Sequence, residues 1–360
     1  MRAAVLRGGT VETRETADPV PGPGHVLLKV LSCAICASDL HFMDNPEAVA
    51  DDDTGMWDYR EDADIVMGHE FLGEVIGHGP SVDVNAFPLG AHVTSLPVLT
   101  TGGARRIIGC SPDAPGGFGE LMLVQDVFAR VVPPDVAVDR AALVDAFAVG
   151  EYYVRNSGID SSAVPLVIGA GAIGLSAIAA LARRGLSPII VADYNPARLA
   201  TAREFGATHT VDPRERSPYD LWHEVALGDR EAPGVMADEP RDEDAPQCFG
   251  YEFVGLPGVL DEIVQGCPVA TQIFSAGGPP EGDHISSAVA KRKGLVIHFG
   301  GGPKPQDWYG TLDAVVAGAL DPSPAIGLVV DLDGVPDALD LARRADGPPR
   351  IMVHPHGDVT

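Results

Sequence analysis

Residues 163–182 read AVPLVIGAGAIGLSAIAALA, twenty in succession without a charge. A run of that length meets the count for a membrane-spanning helix. It also holds Pro165 and glycines at 169, 171 and 174, which a uniform helix does not favour. A strand covered on both faces, a glycine turn and a buried helix give the same apolar run. The residues that follow decide between the two. The helical spacing ends at Gly185, and PIIVADY then reads as a second strand closing on Asp193. PARLATAREFGA reads as a second helix, with proline at its start and glycine past its end. The stretch is a strand–helix–strand unit, and no membrane span is expected.

The alternation continues through HTVDP, GYEFVG, TQIFSAGG and GLVIHFGG, all readable as strands. Strands alternating with helices indicate a doubly wound parallel sheet. The residues before about 150 are written differently. Short apolar runs such as HVLLKV, FLGEVIG, AHVTSLPV and GELMLVQ are separated by Gly, Pro and Asp, as in a mainly β domain. After the parallel region come a helix, DWYGTLDAVVAGAL, the stretch AIGLVVDLD, a helix GVPDALDLARRA and a closing strand RIMVHP.

The turn GAGAIG at 169–174 fits G-x-G-x-x-G in the context that gives the pattern meaning, after a strand and at the opening of a helix. Gly169 makes the tight turn, and Gly171 lets backbone approach a pyrophosphate. Gly174 allows helix and strand to pack closely, and Ala172 and Ile173 begin the helix whose N–H groups face the phosphates. Asp193, 19 residues after Gly174, can accept hydrogen bonds from both ribose hydroxyls of NAD. Its charge would repel the 2′-phosphate of NADP, so NAD is the expected cofactor. Arg198 flanks the adenosine ribose or counters Asp193, or is a helix-surface arginine.

Composition narrows the partners. The 360 residues carry 51 acidic and 25 basic side chains, a formal charge of −26. That excess disfavours nucleic acid and anionic membrane surfaces, both of which attract basic patches. Two acidic stretches, 50–64 and 237–246, read as exposed loops with solvated carboxylates. The five cysteines are odd in number and scattered, so no disulfide framework is expected. The opening MRAAVLRGGTVETRE has no apolar stretch of a secretory signal, so a cytoplasmic location is expected.

Two of those cysteines lie in CAICASDLH, residues 33–41. A zinc ribbon needs a second cysteine pair, which the chain lacks. A redox pair would sit at the first turn of the strand–helix region, not in the β-rich part. A third reading draws on distant residues. His69 stands in MGHEF, and Asp145 is the single acid in the apolar stretch ALVDAFAV. A buried carboxylate needs a cation or a donor. Cys36, His69 and Asp145 would offer a metal one sulfur, one nitrogen and one oxygen, leaving a position open as in a catalytic zinc site.

CASDLH, GHE and GAGAIG…VADYNPARL together resemble, from end to end of the chain, the zinc-dependent medium-chain dehydrogenase/reductase superfamily of alcohol dehydrogenase type. The resemblance implies an α/β fold, a doubly wound parallel Rossmann domain plus a mainly β, GroES-like catalytic domain. It divides the chain into 1–155 (catalytic), 156–301 (dinucleotide-binding) and 302–360 (return to the catalytic domain). Cys36, His69 and Asp145 fall on metal-ligand positions. Glu70 falls on the acid that approaches zinc in some members, as a fourth ligand or during exchange. Ser38 and His41 fall on the proton relay, and Asp39 on a carboxylate behind the zinc ligands. Where relatives carry four close cysteines, this chain has only Cys110, so one catalytic zinc per chain and no structural zinc is expected. The interval between Cys36 and His69 is longer than is usual in the family.

The activity so implied is hydride transfer between an alcohol, or an aldehyde or ketone in reverse, and NAD, in a site between the two domains. A polyol or sugar dehydrogenase of the same superfamily and a non-catalytic NAD-binding protein are the alternatives. The partner is a small-molecule alcohol or carbonyl substrate, without nucleic acid or membrane, and a homodimer or homotetramer is expected.

Overall fold

A computed structural model describes residues 1–46, 54–228, 246–279, 282–344 and 346–357. The chain forms two compact units, Met1–Ala146 with Trp308–Thr360, and Phe147–Asp307.

The first unit is built on a seven-stranded sheet. Its path runs Ala129–Val132, His92–Ser95, Glu70–His78, His25–Ala34, Arg350–Val353 and Ile326–Val330, with Leu121–Gln125 also pairing His25–Ala34. The long strand His25–Ala34 is the hub. It alternates buried apolar residues, Val26, Leu28 and Val30 among them, facing Met122, Val124 and Ile351 in one core. Its antiparallel pairing with Glu70–His78 places Ala34 opposite Glu70 and Cys33 opposite Phe71. At the same end, Arg350–Val353 pairs with it through Met352 opposite Ala34. Three segments far apart in sequence therefore converge where His25–Ala34 ends.

The second unit holds six parallel strands in the order His209–Val211, Ile190–Ala192, Val164–Ile168, Cys248–Glu252, Gln272–Ser275 and Val296–Phe299. The chain winds outward in both directions from the central pair, Val164–Ile168 and Cys248–Glu252, which makes their carboxyl ends the switch point where ligands bind in such sheets. The core includes Leu166, Ile190, Ile273 and the fully buried Trp222. The indole of Trp222 donates to the Val164 carbonyl at 3.0 Å.

The uncharged run 163–182 divides into the strand Val164–Ile168 and the helix Ala172–Arg183. Among the described residues, no helix is long and apolar enough to cross a membrane. Of the two acidic stretches, 50–53 and 237–245 lie outside the described residues. The part 54–64 is anchored, not loose. Trp57 and Tyr59 pack on the Phe42 ring at 5.9 and 6.0 Å. Asp58 donates its N–H to the Cys110 carbonyl, and Asp64 pairs with Arg7 at 3.0 Å and with Arg14.

Candidate active site

Cys36 lies two residues beyond Ala34 and caps the helix Ala37–Asp44. His69 and Glu70 stand at the start of the facing strand. The register of the sheet thus brings the three side chains together. One donor atom from each of Cys36, His69 and Glu70 lies within 4.8 Å of the others, the one such group of three among the described residues.

Backbone geometry enforces the approach. Gly68 has φ +94°, and a Cβ there would sit 2.7 Å from the Phe118 ring and 2.8 Å from Cys33 Sγ. Any other residue would have to displace Phe118 or Cys33, or shift the backbone that leads into His69. The same contact shows what Cys33 does: it is fully buried packing, outside the donor group.

Asp39 joins two of the donors. Its Oδ2 accepts the Cys36 backbone N–H at 2.8 Å. Its Oδ1 lies 3.3 Å from His69 Nδ1, close but not aligned as a hydrogen bond. A carboxylate behind a histidine turns the other ring nitrogen outward as a ligand. That nitrogen, Nε2, lies 3.1 Å from Ser38 Oγ. His41, one turn further along the helix, is exposed.

Glu70 is 1% exposed. Arg350 Nη2 donates to its Oε1 at 3.1 Å, and its buried Oε2 has no hydrogen-bond partner. Burial pushes the Glu70 carboxyl well above its usual range, against the pull of the Arg350 charge. Burial would also raise the Cys36 thiol, but a hydrogen bond to His69 and the Arg350 and His69 charges hold it at about 6. Burial lowers His69, and Asp39 and Cys36 outweigh it, so its pKa lies well above the ordinary value. A thiol disposed to ionise, an oriented imidazole and a carboxylate oxygen without a partner form a donor set that fits zinc.

Asp145 lies outside this group. It is the second residue of the helix Val144–Ser157, and its Oδ1 accepts the Trp308 indole N–H at 2.9 Å. Burial raises its pKa to about 6, partly offset by the His69 charge. The buried acid has a partner, and that partner is a donor.

In the second unit, Gly169 has φ +96° and Gly171 caps the helix Ala172–Arg183. A Cβ on Gly174 would lie 1.8 Å from the Gly169 carbonyl oxygen, whereas one on Gly171 would meet nothing within 4 Å. Gly174 is therefore glycine for packing, and Gly171 faces open space where a phosphate can approach. Asp193 accepts the Ala170 N–H on Oδ2 and the Asn195 N–H on Oδ1, both at 2.7 Å. These bonds aim the carboxylate across the glycine turn and leave lone pairs for ribose hydroxyls. Asn195 caps the helix Pro196–Glu204, placing Arg198 in its first turn. Beside it, Arg214 pairs with Asp212 and lies 5.7 Å above the exposed Tyr194 ring.

Sequence reasoning did not find Arg350 or Trp308. Neither carries a local signal, because each reaches its carboxylate across the fold from the far end of the chain.

A glycine turn shaped for a dinucleotide and a sulfur–nitrogen–oxygen donor set are the working parts of a metal-assisted oxidoreductase. Comparison with known proteins agrees. Residues 22–134 match the family model of the alcohol dehydrogenase GroES-like domain, and residues 172–317 that of the zinc-binding dehydrogenases. Sorbitol dehydrogenase of Bacillus subtilis is 31% identical over 233 residues, 60% of this chain and 62% of that protein, so the match spans less than two thirds of that relative. (R,R)-butanediol dehydrogenase of Bacillus subtilis is 30% identical over 262 residues, 70% of each chain. The crystal structure of 2R,3R-butanediol dehydrogenase from the same organism superposes with a TM-score of 0.79 at 24% identity, covering 98% of this chain and 99% of that one. The chain belongs to the zinc-dependent medium-chain dehydrogenase/reductase superfamily.

Proposed function

We propose that the chain transfers hydride between an alcohol and NAD, and in reverse reduces an aldehyde or ketone. The observation that carries this reading is the convergence of Cys36, His69 and Glu70 within 4.8 Å in a chain that also presents the glycine turn and Asp193. Cys36, His69 and Glu70 would hold one zinc per chain, with Asp145, whose Oδ1 accepts the Trp308 indole N–H, as the further candidate ligand. Bound there, zinc supplies Lewis acidity that lowers the pKa of an alcohol hydroxyl.

The remaining roles belong to the protein. Asp39 orients Cys36 and His69. Arg350 offsets the Glu70 charge. Ser38, whose Oγ lies beside His69 Nε2, would accept the hydroxyl proton, and the exposed His41 would release it to solvent. Gly169, Gly171, Ala172, Ile173 and Gly174 hold the pyrophosphate. Asp193, with Arg198 nearby, holds the adenosine ribose and favours NAD over NADP. The domains assigned are 1–155 and 302–360 for catalysis and 156–301 for the dinucleotide.

A polyhydric alcohol is the second reading for the substrate, favoured by relatives named as sorbitol and butanediol dehydrogenases. A homodimer or homotetramer is supported by the outer edge strand Val296–Phe299, where Val296 and Phe299 are exposed. Five free thiols suit a cytoplasmic location. The test is NADH formation against primary, secondary and polyhydric alcohols, with metal analysis of the same preparation. Protein from zinc-replete expression that holds no zinc and turns over none of the panel would refute the reading.

A further inference from the structure

Glu252 ends the strand Cys248–Glu252 at the switch point of the parallel sheet, and its side chain is 2% exposed. Both of its oxygens are occupied twice. Oε1 accepts the N–H groups of Val254 and Gly255, each at 2.7 Å. Oε2 accepts the Ser275 hydroxyl at 2.6 Å and the Gly277 N–H at 3.1 Å. One carboxylate thus ties the loop after its own strand to the loop after the neighbouring strand Gln272–Ser275. Burying a charge is costly, and four donors are what make it tolerable here.

The two loops approach too closely for side chains. A Cβ on Gly277 would lie 2.2 Å from Glu252 Oε2 and 2.6 Å from Gly255 Cα. Between them opens a cavity of about 200 Å³, lined by Glu252, Gly255, Leu256, Ser275, Gly277 and Phe299 among others. Its rim is apolar and exposed, with Leu256 61% and Phe299 65% accessible. The first loop also touches the phosphate turn, because a Cβ on Gly169 would meet Val254 Cγ2 at 2.9 Å.

A dinucleotide whose pyrophosphate lies over 169–174 and whose adenosine ribose reaches Asp193 must send its other half over the carboxyl ends of Cys248–Glu252 and Gln272–Ser275. We propose that Glu252 is a positioning residue for the nicotinamide half of the cofactor. It acts through the backbone of the two loops it ties and touches neither cofactor nor substrate. The inference rests on the dinucleotide reading above and is independent of the metal and of the alcohol.

The test compares NADH with ADP-ribose, which lacks the nicotinamide, by titration calorimetry on the full chain. Glu252→Gln keeps the shape but puts an amide NH₂ where an acceptor stood. Ser275 can turn its hydroxyl to suit, but a backbone N–H cannot, so one loop loses its tie. NADH binding should weaken about tenfold, the loss of one charge-assisted hydrogen bond, while ADP-ribose binding stays within about twofold. Ser275→Ala should show the same asymmetry in milder form, and it carries the test if Glu252→Gln fails to fold. Equal weakening of both ligands, or a lower melting temperature with neither affinity changed, overturns the assignment and leaves Glu252 merely structural. Wild-type protein that binds neither ligand removes the dinucleotide reading and this inference with it. Tight binding of both without turnover of any alcohol removes only the proposed reaction.

Discussion

Arg350 and Glu70 form an ion pair 280 residues apart in sequence, at 3.1 Å, with side-chain exposures of 3% and 1%. Arg350 also donates to the Ile35 carbonyl at 3.0 Å. The guanidinium therefore braces the backbone just before Cys36 while it compensates the acid beside His69. Removing it should leave Glu70 buried without its cation. Arg350→Met is expected to lower unfolding stability by about 3–5 kcal/mol, and the double variant Glu70→Gln/Arg350→Met by clearly less. Urea unfolding of the four proteins in the cycle measures this. Additive losses would show that the pair is not coupled.

The two candidate oxygen ligands differ in their hydrogen-bond partners. Glu70 Oε2 is buried without a partner, whereas Asp145 Oδ1 is engaged by Trp308. After dialysis against a mild chelator, the wild type should keep one zinc per chain. Glu70→Gln should lose most of it, and Asp145→Asn should keep the larger share. Metal content by mass spectrometry decides, and the reverse order would make Asp145 the resident ligand.

Asp193→Ser removes the charge that, in the proposed reading, would face the adenosine ribose. Efficiency with NADP should rise and that with NAD fall, a combined change on the order of a few kcal/mol. The variant also loses the bonds from Ala170 and Asn195, so some fall in melting temperature should accompany the switch. A wild type already more efficient with NADP would refute the charge argument.

The second and third glycines of the turn should fail differently. Gly174→Ala drives a methyl onto the Gly169 carbonyl and should destabilise the fold by about 3 kcal/mol or more. Gly171→Ala meets nothing, so its melting temperature should barely move while NADH binding weakens about tenfold or more. Calorimetry and NADH titration on both proteins check this. Similar losses of stability in the two would contradict the assigned roles.

Asp139 offers a pH test away from the donor group. Burial would raise its carboxyl, but His354 at 2.8 Å and Ser32 at 2.6 Å hold it below the usual value. A depressed carboxyl contributes stability above its unfolded pKa of about 4 and loses it as pH falls through the folded value. The stability gap between wild type and Asp139→Asn should be full at pH 6 and shrink below about pH 4. Chemical unfolding across that range measures it, and a gap independent of pH would refute the linkage.

How far the sequence reveals the molecule depends on how local the determinants are. The parallel half was readable because its signals, glycine turn, helix start and acid at a strand end, sit within one strand–helix–strand unit. Cys36, His69 and Glu70 were readable because short segments, CASDLH and GHE, carry them. Arg350 was not, since RIMVHP reads as an ordinary closing strand until its pairing with His25–Ala34 is known. Asp145 shows the boundary. Burial in an apolar helix implied that it needs a partner, but physics allows a cation or a donor, and only the fold reveals the Trp308 indole.

The hub strand His25–Ala34 is made early in synthesis, and its neighbour Arg350–Val353 is made after the whole parallel unit. Until that late strand arrives, Glu70 has no counter-ion and the backbone at Ile35 no brace. A nascent chain can therefore carry Cys36, His69 and Glu70 long before it can hold them in register. The buried ion pair thus makes the arrangement of the donor group depend on residue 350 as well as on residues 36–70.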